Sequence, residues 1–267
     1  MIPAPFDYEV ADSVEHAVEL LGERDDTKLL AGGHSLIPLM RLRFARPAVL
    51  VDLGRLDSLR YVRDAGKQLA IGALTRHHDL NHDPLLQEHC PLVSHTAGLI
   101  GDPQVRHRGT IGGSIAHGDP ASDLPAVLLA LDADLVLQGP DDERTVPADA
   151  FFRGVFETAL GPQDVLTEIR VPKLGPSGWS YLKFTRRAQD WAPSAWRRLS
   201  DARTGRSKIR RSRSRTWARH RSAYARPKRH CERPTTSARR RKQSRPKAIP
   251  QATRVGARTI DATSRRC

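Results

Sequence analysis

The chain has 267 residues with 44 Lys+Arg against 30 Asp+Glu, and its three cysteines, Cys90, Cys231 and Cys267, lie too far apart for a zinc or iron–sulfur ligand set and argue against a disulfide framework. No stretch of about 18 uncharged apolar residues indicates a membrane span, and Met1–Asp7 lacks the basic and apolar regions of an export signal, so a cytoplasmic protein is expected. The formal charge of +14 is split: residues 1–191 hold 19 Lys+Arg and 27 Asp+Glu, net −8, whereas residues 192–267 hold 25 and 3, net +22.

Phe6 to Val10 reads as extended. Asp12 and Glu15 fit a capping box for a helix that places Val14, Ala17, Val18 and Leu21 on one face and ends near Gly22. Lys28 to Ala31 reads as a strand running into Ala31-Gly32-Gly33-His34-Ser35, with a short helix over Leu36 to Leu42 leaving it and Arg46-Pro47 stopping that helix. Ala48 to Leu53 is a second β-branched strand, so residues 1–54 are expected to form a βαβ-like lobe. Its glycine turn then sits at the carboxyl end of a strand, where open α/β sheets bind ligands.

From Leu59 the pattern changes. Leu59 to Val62 and Gln68 to Ile71 flank the turn sequence Asp64-Ala65-Gly66-Lys67, and Thr75 is placed to cap a following helix. Pro91 to Leu99 reads as another helix. Residues 102–114 read as a loop delivering a second glycine turn, Thr110-Ile111-Gly112-Gly113-Ser114. Asp123 is placed as N-cap of an apolar helix over Leu124 to Leu131 with Pro125 in its first turn. Leu135 to Gln138, Arg144 to Val146, Val165 to Val171 and Trp179 to Phe184 are strands of a mainly antiparallel sheet.

The chemistry points to the two glycine turns. Adjacent glycines have no Cβ, so backbone N–H groups can face outward and approach a ligand, and a neighbouring hydroxyl adds a donor. A concave row of N–H groups suits a diphosphate without requiring a lysine. One Gly-Gly is a plain tight turn; the pair makes the stronger signal. His34 is either a ligand contact or a solvated loop residue. His77-His78, His82, His89 and His95 lack a partnering carboxylate pattern and read as scattered surface histidines, and Cys90 as a small apolar side chain.

Taken together, Ala31-Gly32-Gly33-His34-Ser35-Leu36-Ile37-Pro38-Leu39-Met40, Arg43-Phe44-Ala45-Arg46-Pro47, Thr110 to Ser114, Asp119-Pro120-Ala121-Ser122-Asp123 and Lys183 to Ala192 closely resemble the FAD-binding medium subunit of molybdenum hydroxylases, the carbon monoxide and xanthine or aldehyde dehydrogenase families. The likeness covers roughly residues 1–192. It implies an α+β, p-cresol methylhydroxylase-type FAD-binding fold of two α/β lobes, 1–54 and 55–192, with flavin in the cleft between them. Ala31, Gly32, Gly33, His34 and Ser35 and Thr110, Ile111, Gly112, Gly113 and Ser114 would then hold the FAD diphosphate. Asp123 would accept hydrogen bonds from the cofactor, Leu166 would pack on the adenine side, and Lys183 would sit near the flavin ring. Ser114 stands where many relatives carry asparagine. The implied role is electron transfer, from an iron–sulfur small subunit and a molybdopterin large subunit through FAD to an external acceptor, with no metal bound by this chain. A flavin reductase of the cell-wall precursor type fits the Asp119–Asp123 stretch less well.

Residues 193–267 contain only five Val, Ile, Leu, Met or Phe, namely Leu199, Ile209, Ile249, Val255 and Ile260, too few to offset the entropy of ordering them. A disordered Arg-rich tail is expected. Arg210–Arg215 and Arg239–Lys242 would bind polyanions or nucleic acid non-specifically, which leaves a polyanion-binding protein as the alternative function. The abrupt loss of family pattern after Ala192 instead reads as an out-of-frame translation, and a flavoprotein truncated there would expose sheet edge and core and could be inactive. Re-sequencing the gene is expected to show a single-base insertion or deletion near codon 192 whose correction restores an apolar strand; an unbroken frame would refute this.

Overall fold

A computed structural model of the chain describes residues 2–175 and 177–185, together with the backbone of 194–201 and 207–213. Its first sheet is formed by β1 (Asp7–Val10), β2 (Thr27–Leu30) and β3 (Val49–Asp52), all parallel in the order β1-β3-β2, with Asp7 and Thr27 both level with Val49. Parallel neighbours need crossovers, here supplied by α1 (Val14–Glu23) and α2 (Leu36–Arg41). The cap of α1 is Ser13, one residue later than expected. Its extended backbone lets the hydroxyl accept the His16 N–H at 3.0 Å, while Asp12 pairs with the His16 ring at 2.8 Å. Ala17, Val18, Val51 and Leu53 form the buried core of this region, joined by Leu59, Leu74 and Val165.

The second region is an antiparallel sheet in the order β4-β5-β10-β6-β7, as its hairpin pattern indicated. Its strands are β4 (Val62–Ala65), β5 (Gln68–Gly72), β6 (Asp134–Gln138), β7 (Glu143–Pro147) and β10 (Val165–Pro172). Ala65 faces Gln68, so the first hairpin turns in two residues, with Gly66 at φ +77°. Leu59 is not in a strand but closes a 3-10 turn, Asp57–Leu59, and turns into the first core. Between β5 and β6 run α3 (His77–His82), α4 (Pro84–His89), α5 (Pro91–Gly98), α6 (Pro103–Arg108), α7 (Ile111–His117) and α8 (Asp123–Leu131). After β7 come α9 (Ala148–Phe151) and the small pair β8 (Phe152–Gly154) and β9 (Glu157–Thr158). Helices α7 and α8 pack on β10, and Ile111, Ile115, Leu124, Leu128, Phe151 and Ile169 are fully buried in the larger core.

Three local expectations are corrected. The 102–114 stretch is mostly helical, because Asp102 accepts the Val105 N–H at 2.9 Å ahead of Pro103, the same Asp-Pro start that Asp83 and Pro84 give α4. Thr75 caps nothing: its hydroxyl donates to the Tyr61 carbonyl at 3.0 Å and accepts the Tyr61 N–H at 3.2 Å. The histidines are not all at the surface. His77 is buried, with no hydrogen-bond partner for Nδ1, and His78 stacks on His107 with ring centroids 3.9 Å apart.

β11 (Ser177–Phe184) is followed by β12 (Ser194–Asp201) and β13 (Ser207–Arg213) in an antiparallel meander, with Lys183 level with Ala195 and Ser200 with Ser207. The expectation of disorder from residue 193 is thus amended for these two stretches, since backbone ladder bonds need no apolar side chains. The other tail residues, with Arg239–Lys242, lie outside the described residues. Among the described residues no helix is long and apolar enough to cross a membrane.

Two outcomes test this packing. Phe151→Ala removes a fully buried ring set edge-to-face on Phe152 and should cost roughly 3–5 kcal/mol in denaturant unfolding. Burial, and then the nearby His34 and Arg106, hold the His77 pKa down at about 4 against 6.5. The unfolded chain therefore takes up a proton before the folded one, so the His77 contribution is intact above pH 6.5 and lost as pH falls through that value towards 4, by on the order of 3 kcal/mol. Stability of wild type and His77→Leu measured at pH 7 and pH 4.5 should differ in slope accordingly; parallel curves would refute the assignment.

Candidate cofactor-binding site

Strand β2 ends at Leu30, and the chain turns through Ala31-Gly32-Gly33-His34-Ser35 into α2. Gly33 has φ +75°, a left-handed conformation that glycine adopts without steric cost. Gly32 is required for a different reason. A Cβ there would stand 2.5 Å from the Arg108 carbonyl oxygen and 2.7 Å from Gly109 Cα, so the first turn lies directly against the chain that leads into the second. A Cβ on Gly113 would in turn come within 3.6 Å of the Ala31 side chain. The two glycine sequences, about eighty residues apart, thus meet.

Their backbone roles differ. Among the described residues no acceptor takes up the N–H groups of Gly32, Gly33, His34 or Ser35. The Gly32 carbonyl interacts with His34 Nδ1 at 3.0 Å, the Ser35 hydroxyl makes no cap bond, and His34 and Ser35 are exposed. The second glycine sequence is not a turn but the first turn of helix α7. The N–H groups of Ile111 and Gly112 donate to the Thr75 and Ala73 carbonyls at 3.0 and 2.8 Å, and those of Gly113 and Ser114 to the Thr110 hydroxyl and carbonyl at 3.2 and 3.1 Å. The expectation of outward-facing donors is corrected for 111–114, whose N–H groups are used to start the helix and tie it to the end of β5. Gly112 is needed for that packing, since a Cβ would lie 2.6 Å from Ala73 Cβ. Ile111 is core.

Between the first turn and Thr110 opens a cavity of about 270 Å³, lined by Ala31, Gly32, Gly33 and Thr110 and, unforeseen in the sequence, by Arg55, Arg60, Arg76 and Arg108. Arg76 stands opposite Thr110 in an isolated antiparallel bridge, and Arg108 lies two residues ahead of Thr110, which brings both to one rim. Nothing in the spacing of these arginines marks them; the Arg-Gly-Thr lead into the second glycine pair was the sole local hint. The residues fit the diphosphate of FAD: free N–H donors, positive charge, and glycine where any Cβ would collide with backbone.

Asp123, Lys183 and Leu166 do not line this cavity. Asp123 is the first residue of α8, whose N-cap is Ser122. Its buried carboxylate accepts the Tyr181 hydroxyl at 2.5 Å on one oxygen and Lys183 Nζ at 2.8 Å on the other; Nζ also donates to the Leu99 carbonyl at 2.9 Å. Both charged side chains are under a tenth exposed, so α8 and β11 are joined by a desolvated ion pair of the kind that tolerates loss of neither partner. Leu166 is buried on β10 beside Leu137, at a register shift. Among the described residues no group of His, Cys, Asp or Glu is arranged to hold a metal ion.

Residues 4–174 match the family described as FAD binding domain in molybdopterin dehydrogenase. The chain is 51% identical over 194 residues to the carbon monoxide dehydrogenase medium chain of Hydrogenophaga pseudoflava, covering 72% of this chain and 68% of that one. It is 43% identical over 192 residues to the glyceraldehyde dehydrogenase medium chain of Sulfolobus acidocaldarius, with 72% and 68% covered. Among solved structures, carbon monoxide dehydrogenase from Hydrogenophaga pseudoflava superimposes with a TM-score of 0.76 at 48% identity over 79% of this chain and 75% of that one. Free backbone donors over a cationic cavity, an antiparallel second sheet and these likenesses agree, and the chain belongs to the family of FAD-binding domains of molybdopterin dehydrogenases.

Proposed function

We propose that this chain binds FAD and acts as the flavin-bearing electron-transfer subunit of a molybdenum hydroxylase or dehydrogenase related to carbon monoxide dehydrogenase. In this reading an iron–sulfur small subunit and a molybdopterin large subunit are its partners. The observation that carries it is the arginine-lined cavity whose wall includes Gly32 and Gly33, two residues whose N–H groups have no acceptor among the described residues. Bound FAD supplies the capacity to accept and release electrons; the chain supplies position. Gly32 to Ser35 fix the diphosphate, and Thr110 closes the opposite wall. Asp123, itself fixed by Tyr181, holds the Lys183 ammonium at a set place, and these two residues are assigned to the flavin side, with Leu166 on the adenine side. Two relatives of similar identity are named for substrates as unlike as carbon monoxide and glyceraldehyde. The substrate is therefore assigned to another subunit.

The purified chain, supplied with FAD, should carry stoichiometric flavin absorbance and unfold at higher temperature than without it. Gly32→Ala should weaken FAD retention at least about tenfold, because its Cβ would push the two turns apart. A chain that takes up no FAD under these conditions would overturn the proposal.

A further inference from the structure

The charges around the cavity do not balance. Four arginines line it against one carboxylate, Asp52. Asp52 is engaged elsewhere, accepting the Tyr8 hydroxyl at 2.5 Å and the Gly54 N–H at 2.7 Å. Arg60 is paired with Asp57 at 2.5 Å and bonds the Gly54 carbonyl. That leaves Arg55, Arg76 and Arg108, none of which has a carboxylate within ion-pairing distance among the described residues.

A second cavity, of about 230 Å³, shows that such an imbalance is not general. There Arg63 and Arg170 both bond Glu168, at 2.6 and 2.5 Å, Tyr61 adds its hydroxyl at 2.6 Å, and Glu15 and Glu143 line the same space. Three carboxylates face two guanidiniums. That cavity has no need of an anion; the first does. Like charges held at one rim repel, and a ligand of opposite sign relieves the repulsion while gaining charge-assisted bonds.

The arrangement also limits the ligand. Arg55 follows β3, whereas Arg76 and Arg108 flank the Thr110 bridge, and Gly32 and Gly33, whose N–H groups have no acceptor among the described residues, line the same cavity. A linker with two ionised phosphates meets both sets of arginines; a neutral group meets neither. The donors of residues 111–114 are spent within the chain, so positive charge there has to come from side chains.

We propose that Arg55, Arg76 and Arg108 are the anion clamp of this cavity, positioning residues that hold the diphosphate linker and select a dinucleotide over a mononucleotide flavin. The proposal rests on the FAD reading above but reaches residues that no likeness assigned. It predicts that the nucleoside diphosphate half of the cofactor is recognised by itself.

The test is titration of the full chain with FAD, ADP, inorganic pyrophosphate, FMN and riboflavin at low and moderate salt. Wild type should bind ADP in competition with FAD and gain thermal stability from pyrophosphate, with riboflavin weakest. Arg76→Gln and Arg108→Gln should each weaken ADP and FAD about tenfold and flatten the salt dependence, leave riboflavin binding unchanged, and be partly rescued by Arg76→Lys and Arg108→Lys. The lysine variants keep the test usable if a glutamine variant does not fold. If the variants bind ADP and FAD like wild type, the clamp is refuted while the FAD reading stands. FMN should bind more weakly than FAD, and FMN or riboflavin bound as tightly as FAD refutes the selectivity. ADP binding without FAD binding would keep the clamp and remove the flavin assignment, and binding of neither removes both.

Discussion

The site depends on one close approach, that of Gly32 to the backbone of Arg108 and Gly109. Two segments far apart in sequence can touch main chain to main chain only where one of them lacks a Cβ, and a single methyl would open the contact by more than side-chain adjustment could absorb. The approach brings the first turn beside Thr110, so that Gly32 and Gly33 share one cavity with Arg55, Arg76 and Arg108. Without it the strand-end turn and the start of α7 would be unrelated features.

What surrounds that contact is a division of labour between backbone donors. In the first turn, with Gly33 left-handed, the N–H groups of residues 32–35 have no partner among the described residues, a cost the fold bears only where an anion or water can meet them. In the second glycine sequence the same groups are consumed, by Thr75 and Ala73 on one side and by Thr110 on the other. This rigidly couples α7 to the end of β5, and with it the arginines at positions 76 and 108.

Asp123, Tyr181 and Lys183 form a separate device. A desolvated carboxylate with both oxygens occupied fixes an ammonium that also holds the Leu99 carbonyl, so α8, β11 and the end of α5 are locked together by polar contacts inside an otherwise apolar region. Such a pair contributes more to defining position than to net stability, because desolvation offsets most of the attraction. None of the three lines the arginine-rimmed cavity.

Much of this was legible residue by residue. The strand before Ala31, the glycine turn, the short α2 and the antiparallel hairpins follow from hydrophobic period and turn chemistry, which are local properties. So does the family resemblance, which rests on contiguous motifs. Where the reading slipped, neighbours in space competed with neighbours in sequence. Thr75 had a cap's composition but found Tyr61, and His77 followed a polar pattern yet was buried beneath Gly109. Gly112-Gly113 looked like a turn and became the start of a helix, because Thr110 caps it and Ala73 leaves no room for a side chain at residue 112. The arginine rim was invisible: Arg55, Arg76 and Arg108 carry no common spacing, and only the bridge of Arg76 to Thr110 and the seating of Gly32 on Arg108 gather them at one cavity. Local pattern thus set which segments bend, pair and expose donors, whereas the charge that faces those donors was fixed by long-range packing, because the energy of assembling like charges depends on distances that no linear spacing encodes.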